Sequence, residues 1–195
     1  MSELLEDDVA VDPLEQFRRW FAEADADNRM ALATASPDGS PSVRMVLLKA
    51  ADEQGFVFFT GYESRKGGEL QANPRAALLF HWAPLGRQVR IEGPVERVGA
   101  GESDAYFATR PRRAQVAASA SRQGRVLANR AELDEAVADL ERQYSGGEVP
   151  RPEHWGGYRM RPHTYEFWQH RDDRLHDRLR FTRDGDGWRL ERLSP

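Results

Sequence analysis

Residues 30–60, MALATASPDGSPSVRMVLLKAADEQGFVFFT, hold three short apolar or alternating runs, 30–35, 42–50 and 55–60. Ser36-Pro37-Asp38-Gly39-Ser40 and Asp52-Glu53-Gln54-Gly55 part them. Such runs between turn-forming residues read as strands, and the gaps are too short for the crossovers that parallel pairing needs. Antiparallel pairing is therefore predicted. Runs at 76–82 and 88–98 extend the series; others at 158–160, 164–170, 174–182 and 188–192 resume it near the end. Helical patterns at 102–109, 111–119 and 131–144 lie between them, the last stopped by Gly146-Gly147. An earlier helix opens at Asp12-Pro13-Leu14-Glu15, where an N-cap, a proline at the first helical position and an acidic third residue coincide. Leu14, Phe17, Phe21 and Ala24 carry it to about residue 27. The predicted fold is mainly antiparallel β, a barrel with peripheral helices, in one domain over residues 12–195; a doubly wound nucleotide fold is disfavoured.

Composition narrows the function. A chain of 195 residues can bury the core of one ordinary domain. No apolar run approaches the roughly 18 residues of a membrane span, so no membrane partner is expected. The start has neither a basic leader nor an apolar stretch, and cysteine is absent, which excludes disulfides, thiolate catalysis and Cys-ligated zinc. A cytoplasmic location is the expectation. Net charge is −4, but six acidic residues precede the first basic one, Arg18, and the remainder is nearly balanced. That balance argues against a nucleic-acid partner. Residues 1–11, acidic and without aromatics, read as a mobile tail. Lys49 and Lys66 are the only lysines among 28 basic residues, and an ammonium serves as a point-charge ligand for phosphate, so each is a candidate anion contact.

Four clusters could carry chemistry. In Arg174-Leu175-His176-Asp177-Arg178-Leu179-Arg180-Phe181, a strand period puts Arg174, His176, Arg178 and Arg180 on one face and Leu175, Leu179 and Phe181 on the other. Arg174 to Arg180 would span about 20 Å, enough for more than one anion; a solvated edge strand is the alternative. Ser64-Arg65-Lys66-Gly67-Gly68 follows a strand and opens a short helix closed by Asn73-Pro74, with Ser64 as cap. Free amides there, joined by two cations, make a phosphate cradle or a basic surface turn. Tyr106 and Arg110 share a helical face. Arg44 and Lys49 sit near the ends of one apolar strand, where strict alternation puts them on opposite faces and suggests two ligands. Trp168 fits either the core or a lid over an aromatic ligand. No Walker loop, Gly-x-Ser-x-Gly or His-Glu-x-x-His is present. Gly99-Ala100-Gly101-Glu102-Ser103-Asp104 fails as a dinucleotide fingerprint, and His170, Asp172 and His176 are too close to arginines to make a metal site the expectation.

Taken in order, Arg44-Met45-Val46-Leu47-Leu48-Lys49, Ser64-Arg65-Lys66, Asn73-Pro74-Arg75, Arg87-Gln88-Val89, Phe107-Ala108-Thr109-Arg110-Pro111, Trp155-Gly156-Gly157, Glu166-Phe167-Trp168-Gln169 and Arg174-Leu175-His176-Asp177-Arg178 resemble the pyridoxine (pyridoxamine) 5′-phosphate oxidase family. The resemblance covers residues 17–195. It implies an FMN-binding split barrel working as a homodimer, with FMN at the subunit interface. On that basis Arg44, Arg65 and Lys66 hold the FMN phosphate. Met45, Val46, Leu47, Lys49, Phe59 and Thr60 line the flavin, and Gln88, Gln123, Gly124, Trp168 and Arg178 complete its site. Lys49, Tyr106, Arg110 and the Ala114 position belong to the substrate phosphate, while Arg174 and His176 are the catalytic pair that sets the pyridine ring against the flavin. The chain departs from the family pattern at Ala114 and Gly124, where many relatives carry a hydroxyl.

The implied activity is oxidation at C4′ of pyridoxine or pyridoxamine 5′-phosphate to pyridoxal 5′-phosphate, with O2 reduced to hydrogen peroxide. Two other readings remain at this stage: a flavin oxidase of the same fold acting on a phenazine precursor, and a non-catalytic carrier of flavin or pyridoxal phosphate.

Overall fold

Alternation along the chain decides which residues face inward. Val89, Phe167 and Leu179, side by side on three strands, are 0% exposed, whereas their neighbours Gln88, Trp168 and Arg178 face away from the core. The computed structural model describes residues 3–195. The chain enters through helix α1 (Pro13–Glu23) and runs through strands β1 (Arg29–Ala35), β2 (Pro41–Leu47), β3 (Ala50–Asp52) and β4 (Gly55–Gly61). Helix α2 (Arg65–Ala72) leads to β5 (Arg75–Trp82) and β6 (Arg87–Arg97). Helices α3 (Ala100–Thr109), α4 (Arg112–Ala120) and α5 (Arg130–Gln143) precede β7 (Trp155–Met160), β8 (Thr164–Gln169), β9 (Asp177–Asp184) and β10 (Gly187–Arg192).

Every strand pair is antiparallel, as expected. The sheet splits at β6, whose first half pairs with β8 and whose last residues pair with β7. Gly93 and Pro94 stand at the switch. A Cβ on Gly93 would lie 2.0 Å from the Arg161 carbonyl oxygen, so no other residue permits the approach of the two arms there. One arm runs β10-β9-β8-β6-β5-β1-β2, and the other carries β7, β4 and β3. The curled result is a mainly antiparallel barrel with helices outside it. Its core is aromatic: Phe17 of α1 meets Phe56 and Phe80 edge-on at 4.9 and 5.0 Å, and Trp20 meets Phe167 at 5.3 Å. A second cluster, Phe107, Val116, Val149 and Trp155, fastens α3 and α4 to β7. No helix among the described residues is long and apolar enough to cross a membrane.

Three expectations are corrected. Helix α1 stops at Glu23 rather than near residue 27, because Asp25 and Ala26 take positive φ values of 52° and 54°. The strand predicted from 174 begins at Asp177; Arg174 has φ 64° and Leu175 is 66% exposed, so the segment before Asp177 is a turn and Leu175 stays outside the core. Residues 3–11 are no loose tail. Leu4 and Ala10 are buried, and Glu3 and Glu6 pair with Arg171 and Arg192, since the acidic run meets an arginine-rich sheet edge. Residues 1 and 2 of the expected tail lie outside the described residues.

Candidate active site

A cavity of about 1080 Å3 lies between β2, β4, the start of α2, the junction of α3 with α4, and the segment following α4. Its first wall is a cation cradle. Ser64 caps α2 as expected, its hydroxyl accepting from the Gly67 amide, and a Cβ at Gly67 would strike the Tyr62 carbonyl oxygen at 2.0 Å. The first turn of α2 therefore packs tightly and carries Lys66 inward. Lys66 is 7% exposed, and its Nζ donates to Gln123 Oε1 at 2.9 Å, Ser64 Oγ at 3.0 Å and Thr60 Oγ1 at 3.1 Å. All three acceptors are neutral. Burial, and next the Arg44 charge, push the ammonium down to about 8.

Beside it, Arg44 donates to the Leu32 carbonyl at 3.0 Å and to Thr34 Oγ1 at 2.6 Å, and Arg65 Nε donates to Glu69 Oε1 at 2.8 Å. The buried Glu69 carboxylate also faces Arg44 at 3.3 Å. Hydrogen bonds from Ser42 and Thr34, joined by that from Arg65, hold its carboxyl at about 2. The first turn of α2, with Arg44 of β2 beside it, is thus a cation cradle tied to a carboxylate.

The opposite wall is aromatic. Phe59 stacks on Tyr106 at 4.0 Å and on Trp155 at 5.4 Å. Lys49 Nζ lies 5.8 Å from the Tyr106 ring centroid, and the Arg110 guanidinium lies 4.7 Å from that of Trp155. Arg110 Nη1 is buried without a hydrogen-bond partner, and burial lowers its pKa. Arg44 and Lys49, expected on opposite faces, line one cavity. Strand β2 ends at Leu47, and Leu48 and Lys49 instead bond Asn28 and Val57, which breaks the alternation between them.

Thirteen of the residues singled out from sequence line this cavity: Arg44, Met45, Val46, Leu47, Lys49, Phe59, Thr60, Arg65, Lys66, Tyr106, Arg110, Gln123 and Gly124. Gly124 holds φ 90°, which disfavours a side chain there. Ala114 does not line it, nor do Gln88, Trp168, Arg174, His176 and Arg178. Most of these gather elsewhere. Gln88, Trp168 and Arg178 are adjacent in register across β6, β8 and β9, and the His176 ring lies 4.6 Å from that of Trp168. The Arg171 amide donates to His176 Nδ1 at 3.0 Å, which leaves the proton of a neutral imidazole on Nε2. Glu166 joins Arg90 at 2.5 Å and Arg178 at 2.9 Å beneath them.

Sequence reasoning missed Glu69, Thr34, Ser42 and the cavity role of Trp155. Glu69 had a legible signal, its position four residues after Arg65 on one helix. The hydroxyls had none, because only the pairing of β1 with β2 sets Thr34 opposite Ser42.

Residues 14–144 match the family described as Pyridoxamine 5′-phosphate oxidase, and residues 155–195 match its C-terminal dimerisation region. The chain belongs to this family. A pyridoxine/pyridoxamine 5′-phosphate oxidase of Rubrobacter xylanophilus is 56% identical over 197 residues, covering 98% of this chain and 91% of the relative. The structure of PhzG from Burkholderia lata in complex with tetrahydrophenazine-1-carboxylic acid superposes with TM-score 0.93 at 36% identity, covering 100% of this chain and 99% of that one. An FMN-binding protein from Nostoc punctiforme shares the fold, with TM-score 0.73 at 14% identity over 93% of this chain and 96% of the other. The cavity of this family member suits phosphorylated ligands, a flavin among them. Lys49, Lys66 and Arg110 pair with no carboxylate among the described residues, and the orphaned Arg110 Nη1 calls for an anionic acceptor.

Proposed function

We propose that this chain oxidises pyridoxine and pyridoxamine 5′-phosphate to pyridoxal 5′-phosphate as an FMN-dependent enzyme, with O2 reduced to hydrogen peroxide. The observation that carries this reading is the pair of cationic groups in one cavity, Arg44, Arg65 and Lys66 on one side and Lys49 with Arg110 on the other. Two phosphates need two such groups. Arg44, Arg65 and Lys66 hold the FMN phosphate, aided by the amides at the start of α2. Lys49, Tyr106 and Arg110 hold the substrate phosphate. When bound, FMN accepts the hydride from C4′ and returns the electrons to O2. The chain's own task is alignment in a site shielded from water. Oxidation of the alcohol consumes one O2 and yields one peroxide; oxidation of the amine consumes a water as well and releases ammonia.

The Gln88, Trp168, Arg178, Arg174 and His176 group completes the cavity from a second copy of the chain. Val43, Met45 and Leu47 are 69%, 64% and 45% exposed, an apolar edge of the cavity lining that a homodimer would cover. The match to a dimerisation region at residues 155–195 supports the same assembly. His176, with its proton on Nε2, and Arg174 then position the pyridine ring. The enzyme acts in the cytoplasm under this reading.

Anaerobic addition of pyridoxine 5′-phosphate to the purified yellow protein tests the proposal: the flavin absorbance should bleach and return with air. A protein that takes up no FMN, or stays yellow, would refute it. The likeness to PhzG supports a second reading, oxidation of a tricyclic phenazine precursor. Turnover of that precursor, with none of the phosphorylated pyridine, would favour it. Peroxide release on either substrate excludes a passive carrier.

A further inference from the structure

The acidic N-terminal segment has no part in the chemistry above, yet it is fastened to the one turn that carries His176. The Leu4 amide donates to Asp177 Oδ2 at 3.2 Å, and the Leu4 carbonyl accepts from Arg192 Nη2 at 2.9 Å. Glu6 accepts from Arg192 Nε at 2.8 Å and Nη2 at 2.7 Å, and Glu3 meets Arg171 at 2.9 Å. At its far end the segment is tied to α1, where the Ala10 amide donates to Gln16 Oε1 at 3.0 Å. Exposed ion pairs are individually weak. Here they converge on a carboxylate that is only 12% exposed.

Asp177 is that point of convergence. Its Oδ1 receives Arg192 Nη1 at 2.8 Å, and its Oδ2 faces Arg171 at 3.6 Å as well as the Leu4 amide. Asp177 directly follows His176, and Arg171 supplies the amide that bonds His176 Nδ1. The two ends of the 171–177 turn are therefore both held by the same carboxylate, and the imidazole is held between them. Removing the carboxylate releases Arg192 Nη1 and the Leu4 amide from the turn and leaves Arg171 to Glu3 alone among the described residues.

We propose that Asp177 is a positioning residue and residues 3–6 a strap, which together fix the 171–177 turn so that His176 keeps its proton on Nε2 for the substrate. The inference rests on the placement of His176 at the substrate under the proposed function. It gives the acidic segment a role in substrate alignment rather than in solubility or flavin retention.

The test uses the full FMN-loaded protein, the Asp177→Asn variant and a chain lacking residues 2–8. Steady-state kinetics on pyridoxine 5′-phosphate are combined with 15N NMR of histidine-labelled protein, the His176 signal being assigned by its loss in His176→Ala. Both variants should keep FMN while kcat/KM falls about tenfold, and the His176 signal should move from the Nε2–H form toward a tautomer mixture. A shared loss of FMN and melting temperature with an unchanged His176 tautomer would overturn the proposal, as would kcat/KM within twofold of the parent in both variants. If Asp177→Asn does not fold, the shortened chain carries the same test. His176→Ala with full turnover would remove the underlying placement as well; impaired His176→Ala beside two unimpaired variants would remove the strap alone.

Discussion

Lys66 Nζ donates to Gln123 Oε1 over 2.9 Å, a contact between residues 57 apart that closes the cavity with the segment after α4. The ammonium has only neutral acceptors, so an incoming phosphate would be its first anionic partner. Lys66→Ala should raise the FMN dissociation constant about 10- to 100-fold, the range for losing one hydrogen bond to a charged group. Flavin fluorescence quenching on titration into apoprotein measures it, and undiminished affinity would reject the role.

The same residue sets a pH dependence. Burial lowers its pKa to about 8 from its ordinary 10.5, so the charged form that phosphate needs is depleted as pH rises through 8. FMN affinity of the apoprotein should therefore fall between pH 8 and 10, with proton uptake on binding. Isothermal titrations in buffers of different ionisation enthalpy would show that uptake; its absence at pH 9 contradicts the assignment.

Arg110 is predicted to act on substrate and not on cofactor. Arg110→Ala should raise KM for pyridoxine 5′-phosphate about tenfold or more while FMN content stays at that of the parent. It should also narrow the discrimination against unphosphorylated pyridoxine. A variant that loses FMN instead would move Arg110 into the flavin site.

Glu69 supports the cradle from below. Glu69→Gln leaves Arg44 and Arg65 without their shared carboxylate; Arg65 is largely exposed, but the Arg44–Glu69 pair is mostly buried, and removing one partner of such a pair costs about 3 kcal/mol. For a chain of this size that is roughly 6–12 °C in apoprotein melting temperature. FMN should recover part of the loss, since its phosphate replaces the missing negative charge. Equal melting curves for parent and variant apoprotein would count against the buried pair.

Acid should loosen the N-terminal strap before the barrel. Hydrogen bonding to Arg192 lowers Glu6 from its ordinary 4.5 to about 2. A carboxyl with a lowered native pKa contributes stability that is present above about 4.5 and is lost as pH falls through about 2. The Leu4 amide should accordingly lose protection across that window relative to the core amides of β6, once the intrinsic exchange rate, which itself falls with acid, is divided out; an unchanged protection factor at the lower end would exclude it.

Much of the fold was readable because strand and helix periods are local. The Asp12 cap, the Ser64 cap and the alternation of Val89 against Gln88 needed only their neighbours in sequence. The site was readable in part. Lysine scarcity pointed to Lys49 and Lys66, both now in the cavity, but alternation separated Lys49 from Arg44 wrongly because it assumed an unbroken strand. The arginine-rich run after residue 174 suffered the same way, since a positive φ at Arg174 starts a turn that a period-two reading cannot register.

By itself, the sequence determined the antiparallel class, the capped helix starts and the family, since these rest on residue spacing and on motifs that survive in one dimension. Tertiary structure alone decided that Glu69 would also neutralise Arg44, that Thr34 would face Ser42, and that Leu4 and Glu6 would reach Asp177 and Arg192. These contacts join residues up to 186 positions apart, and no local pattern encodes a charge pair whose partners meet only after the sheet has curled.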